Sequence, residues 1–161
     1  MVMQNVDYAK ELLVGEKTCI LVKDNVIYES QERGITPIMT FINNKLDLRD
    51  FSVADKIVGK AAAFLFVYCG IKEVYAEVIS KKGIEILEKY RIPYTYSTLT
   101  DVIINRKGDD ICPMEKTVQD IDDPDTAYKA LNETIRSLQW PYFILCFKAF
   151  NVTLKLSSSN G

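Results

Sequence analysis

The stretch Asp55–Gly70, DKIVGKAAAFLFVYCG, constrains this chain more than any other. From Ala61 to Ile71 it carries no charge, and a helix apolar on nearly every side has to be buried on nearly every side. It is too short to cross a bilayer, which takes about 20 predominantly apolar residues, and so is the second uncharged run, 140–147. Both runs are therefore expected inside the protein. The first reads as one helix over Ser52–Cys69. Ser52-Val-Ala-Asp55 has the form of a capping box at its start, and Gly70 is a left-handed stop at its end.

A chain of 161 residues is long enough for one self-sufficient core. Its 48% hydrophobic and 26% charged residues are the composition of a globular domain rather than a disordered one. A net charge of −2 offers no basic field for nucleic acid. The four cysteines, at 19, 69, 112 and 146, form no CxxC pair, and MVMQNVDYAK has no signal-peptide character. Free thiols in a reducing cytoplasm are the expectation, which leaves the sequons at Asn132 and Asn151 unglycosylated.

The remaining periodicity alternates helix and strand. Val6–Val14 is a short helix, with Val6, Ala9, Leu12 and Leu13 on one side. Thr18–Val22 and Val26–Tyr28 form a hairpin around Asp24-Asn25. Thr36-Pro37 opens a small helix reaching about Asn43, with Thr36 as its cap. Glu73–Ile79 is a strand, Ser80–Tyr90 a helix, and the run after Pro93 another strand. Asp123-Pro124 starts a last helix to about Leu138, and Val152–Leu156 alternates as a strand does. Helices joining successive strands predict a three-layer α/β/α domain with a mixed sheet over residues 1–139. Residues 140–161 form an apolar extension that packs on this domain or on a partner subunit.

Several separate segments (the hairpin, ERGITP, DKIVGKAAA, EVYAEVIS, INR and CPMEK) resemble a small bacterial family of unknown function with the cytidine deaminase-like fold, over about residues 7–136. The resemblance implies a core of hairpin, helix, strand, helix, strand. It does not bring the zinc chemistry with it. A zinc deaminase places a His or Cys with a nearby Glu at one helix start and PCxxC at the next. Here the matching positions read Ala54-Asp55-Lys56 and Ser80-Lys81-Lys82-Gly83, and the chain has no histidine. No metal site and no cofactor are expected.

Three groups are candidates for chemistry. Lys56, in what reads as a first helical turn, opposes the helix dipole; it either meets an anionic or carbonyl group of a ligand or is a solvated lysine paired with Asp55. Asp55 is either a ligand-binding group or the acid of the capping box. Cys112 stands at a helix cap before Pro113, where a thiol can become a nucleophile, and Glu115 in the first turn can serve as general acid or base. The plainer reading is a buried thiol and a capping glutamate. Asn105 and Arg106, in a glycine-bearing turn, can read an amide edge and a phosphate or carboxylate. Lys56, Cys112 and Glu115 are thus the candidate catalytic set, with Asp55, Asn105 and Arg106 as ligand-binding residues.

Two functions fit this pattern. One is a zinc-free domain binding a nucleotide-like or other small anionic ligand between the Lys56 entrance and the Arg106–Glu115 loop. The other is a non-catalytic module that forms homo-oligomers or binds another protein. Neither requires nucleic acid or a membrane.

Overall fold

Helices and strands alternate along residues 3–139, the part of the chain that the computed structural model describes. The order is α1 (Asn5–Leu12), β1 (Cys19–Lys23), β2 (Val26–Ser30), α2 (Thr36–Asn43), β3 (Ser52–Val58), α3 (Lys60–Cys69), β4 (Glu73–Ser80), α4 (Lys81–Lys89), β5 (Tyr94–Thr100), α5 (Pro113–Val118) and α6 (Pro124–Gln139). The expected tail strand and the extension 140–161 lie outside the described residues.

One expectation needs correcting. Ser52–Cys69 is not one helix: Ser52–Val58 is strand β3, and the helix begins only at Lys60. Ser52-Val-Ala-Asp55 is therefore no capping box, and Lys56 is no first-turn lysine. The reason is burial. β3 is a central strand covered on both faces, and such a strand shows an almost continuous apolar run rather than an alternating one. With only Gly59 between them, β3 and α3 merge into one hydrophobic stretch. A smaller correction applies to α2, whose cap is Ile35 rather than Thr36.

The sheet has the order β2-β1-β3-β4-β5. β1 is antiparallel to both of its neighbours, with Cys19 opposite Asp55 and Leu21 opposite Val53 on β3. β3, β4 and β5 run parallel, with Val53 beside Val74 and Val74 beside Tyr94. The sheet is mixed and carries helices on both sides, the three-layer α/β/α arrangement expected. α1 covers one face, packing Val6 and Ala9 on Ile20, Val22, Ala54 and Tyr75. The other face is covered by α2 to α6 and holds the larger core.

At the centre of that core lies α3. Every residue from Ala61 to Phe66 is buried, and α4, α5 and α6 all pack against it. Gly70 ends it at φ +71°, a left-handed turn that glycine makes without steric penalty. Its amide donates to the Val67 carbonyl, and the next amide, of Ile71, to that of Phe66. Truncating the fully buried Phe64 removes a side chain with no room to collapse around it. Phe64→Ala should cost about 3–5 kcal/mol in urea unfolding. A loss below about 1 kcal/mol would contradict the central position of α3.

Candidate functional site

A helix leaves its first amides without intrahelical partners. α3 begins after Gly59, whose missing side chain can offer them no acceptor, and no residue at that position caps the helix. The acceptor comes instead from α5. Glu115 Oε2 accepts from the Lys60 amide at 3.0 Å and Oε1 from the Ala61 amide at 3.1 Å. A carboxylate here meets both unpaired N–H groups and the positive end of the helix dipole.

Glycine at position 59 makes this approach possible. A Cβ there would overlap the Glu115 carboxyl group and stand 2.9 Å from Ile103 Cγ1. A second glycine closes the other side. Ser80 caps α4 by accepting from the Gly83 amide at 3.0 Å, and a Cβ on Gly83 would meet the Val58 carbonyl oxygen at 3.0 Å. The first turn of α4 thus lies directly against the β3–α3 turn. The two helix entrances meet backbone to backbone, with Glu115 filling what remains. Lys60 completes the seal by donating from Nζ to the Gln119 carbonyl at 2.9 Å.

The donors at these entrances do not suit a zinc ion. They amount to Glu115, already on two amides, and Ser80, already capping α4. Among the described residues no three His, Cys, Asp or Glu side chains gather to hold a metal.

The candidate residues are distributed rather than assembled. Lys56 follows Ala54 onto the face covered by α1, where its ammonium donates to the Gly15 carbonyl at 2.8 Å. Glu115 lies on the opposite side of the sheet. Asn105 and Arg106 occupy the tip of a loop closed by the Ile104–Ile111 bridge. Asn105 Nδ2 donates to Asp109 Oδ1 at 2.7 Å, and Arg106 is exposed. Cys112 caps α5 by position, its carbonyl accepting from the Lys116 amide at 3.1 Å, and its side chain makes no capping hydrogen bond. Only Glu115 reaches the α3 entrance. Sequence reasoning misses Lys60 and Gly83 at this entrance; Gly59, a small residue inside an otherwise apolar run, does signal the close approach it makes here.

Asp55 is a separate case. It is one of three buried polar or charged residues among those described. Burial pushes its carboxyl up to about 7, opposed by the Ile57 amide donating to Oδ1 at 3.1 Å, the Cys19 thiol and the Lys56 amide. Burial also raises the Cys19 thiol well above its usual range, with Asp55 adding to the effect. Burial raises the Glu115 carboxyl too, against the pull of its two amide donors and of the Lys60 charge.

The described residues include no helix long and apolar enough to cross a membrane. The family described as a domain of unknown function, DUF1893, matches residues 7–135. A solved structure from Thermotoga maritima, described as a DUF1893 family protein (TM1506), aligns with a TM-score of 0.72 at 25% identity, covering 83% of this chain and 92% of that one. A diaminohydroxyphosphoribosylaminopyrimidine deaminase/5-amino-6-(5-phosphoribosylamino)uracil reductase from the same organism aligns with a TM-score of 0.41 at 15% identity, covering 63% of this chain and 34% of that one. No curated protein matches the chain.

Two variants test the site. Glu115→Ala, which strands both α3 amides, should lower stability by about 2 kcal/mol, and Glu115→Gln, which keeps one acceptor, by roughly half as much. Equal stability of Glu115→Ala and wild type in urea would contradict the cap. For Asp55, the carboxyl ionises near pH 3.8 when unfolded and near 7 when folded, so between these values the folded state holds the extra proton. Stability from this group is full below pH 3.8 and declines as pH rises to 7, by about 4 kcal/mol. Asp55→Asn should remove that slope; an unchanged slope in the variant would show that Asp55 ionises normally.

Proposed function

The chain belongs to the DUF1893 family of domains of unknown function, and from that premise we propose that it is a non-catalytic association domain, working by binding another polypeptide. The observation that carries this reading is the Glu115 carboxylate on the Lys60 and Ala61 amides. An anionic ligand entering at α3 would have to displace a tethered carboxylate held by two charge-assisted hydrogen bonds. It would also have to open the Gly59–Gly83 contact, which is made by backbone. Lys56 and Asn105 already serve the chain's own carbonyl and carboxylate groups.

The surface offers what the entrance does not. Tyr96 and Leu99 on the edge strand β5 are exposed, and so are Val102, Ile104 and Ile111 in the segment between β5 and α5. Apolar groups gathered at one sheet edge are the usual mark of a protein-binding surface.

A thermal-shift screen against nucleosides, nucleotides, inorganic phosphate and zinc tests this reading. A ligand at 100 times its Kd would stabilise the fold by about 2.7 kcal/mol, or roughly 5–10 °C for a domain of this size. We expect no such shift. A nucleotide shift of that order, abolished in Gly83→Ala or accompanied by movement of the Lys60 and Ala61 amide resonances, would overturn the association reading in favour of a small-ligand site.

A further inference from the structure

β5 is an edge strand whose free side is occupied by no other strand among the described residues. Its sequence, Tyr94-Thr-Tyr-Ser-Thr-Leu-Thr100, has no charge and no proline, and it pairs with β4 at the same offset on both sides of Ser97. Residues 95 to 99 are all exposed, with Tyr96 at 42% and Leu99 at 43%. Edge strands normally carry a charge, a proline or a bulge, or are kept very short, because unpaired backbone N–H and C=O groups recruit further strands. The opposite edge follows that rule: β2 is shorter and carries Glu29, held by Lys17 at 2.9 Å. β5 has none of these devices.

The charges flanking β5 specify what could pair with it. Arg91 precedes the strand and is exposed, and Asp101 follows it and is also exposed. An uncharged strand with a cation at one end and an anion at the other is complementary to itself when antiparallel. A parallel copy would set like charges side by side. Resting on the association reading above, the geometry points to a second copy of this chain as the occupant of β5, joined edge to edge about a two-fold axis through Ser97. The two sheets then become one continuous sheet.

The register follows from the pleat. Residues directly opposite in an antiparallel pair share a face, so the sum of their numbers in a self-pair is even. Centring on Ser97 engages the whole strand and places Tyr96 against the partner's Thr98, Thr95 against the partner's Leu99 and Tyr94 against the partner's Thr100. Arg91 then comes within side-chain reach of the partner's Asp101, twice per dimer, an isologous arrangement. Asp101 keeps Lys81 as a neighbour at 2.5 Å, so each end of the interface is a small cluster of mixed sign.

Sedimentation of the full chain tests this. The wild type should have twice the 18.4 kDa chain mass. Combining Tyr96→Lys with Thr98→Lys sets like charges opposite one another twice and should weaken the dimer. Combining Tyr96→Glu with Thr98→Lys sets opposite charges there and should bind more tightly than the double lysine variant by on the order of tenfold or more. Both variants change only exposed edge positions, so the second controls for any folding defect of the first. A dimer indifferent to both, or weakened equally by both, would overturn the register. A monomer with freely exchanging β5 amides would overturn the dimer, and so would a monomer with protected ones, which would mean that another part of this chain covers the edge. A monomer that ignores the small molecules of the thermal screen removes the second copy and leaves the association reading standing. A ligand response at Lys60 and Ala61 removes that reading itself.

Discussion

The start of α3 is where this fold is under most demand. The helix is buried along most of its length, so water cannot readily satisfy its first amides, and the glycine before it has no side chain to do so. Glu115, 55 residues along the chain from Lys60, supplies the missing acceptor. That contact ties α5 to α3. The Thr117–Thr134 hydroxyl pair at 2.9 Å then ties α5 to α6, and α6 returns along α3 to stack Tyr128 on Tyr68 at 4.5 Å. The whole helical layer on this face is thus organised around one buried helix and the carboxylate at its entrance.

The same contact decides what the site can do. A helix N-terminus is a ready anion site when its amides are free; here a residue of the chain already holds them. Glycine at both 59 and 83 lets the α3 and α4 entrances close on one another. Lys56, Asp55 and Asn105 also have structural partners. Lys56 fastens the turn after α1 through the Gly15 carbonyl. Asp55 is sunk between β1 and β3 beside the Cys19 thiol, its charge suppressed by burial at the lower end of the physiological range. The surface that stays uncommitted is at the far edge of the sheet, in a strand of hydroxyl, aromatic and aliphatic side chains.

Much of this architecture was legible in the sequence, and the parts that were not have specific causes. The hairpin around Asp24-Asn25 was readable because turn residues separate two β-rich runs. The starts of α5 and α6 were readable from Pro113 and from Asp123-Pro124, and Asp123 Oδ1 does cap α6 by accepting from the Thr126 amide at 2.8 Å. The β3–α3 boundary was not, because a strand covered on both faces and a buried helix share the same apolar composition, and SVAD imitates a cap. Glu115 was visible as a titratable residue in a first turn, but its partner, two backbone amides, has no sequence signature. Lys56, Arg106 and Glu115 do not meet for a related reason: the apolar run reads as helix from Ser52 and so puts Lys56 at a helix entrance, whereas strand β3 carries it to the α1 side of the sheet. The edge position of β5 was half legible: Pro93 restricts the run to a strand start or a sheet edge, and nothing local decides between the two.

Amide hydrogen exchange and pH titration of the Lys60 and Ala61 resonances by NMR would test the sealed entrance most directly. If the Glu115 carboxylate holds both amides, they should exchange slowly with solvent, and their proton shifts should move together with a carboxyl group titrating above the usual glutamate range. Glu115→Gln should abolish that titration while leaving the rest of the α3 resonances in place. Fast exchange at both amides, with shifts indifferent to the ionisation of Glu115, would mean that the entrance is open and available to a ligand.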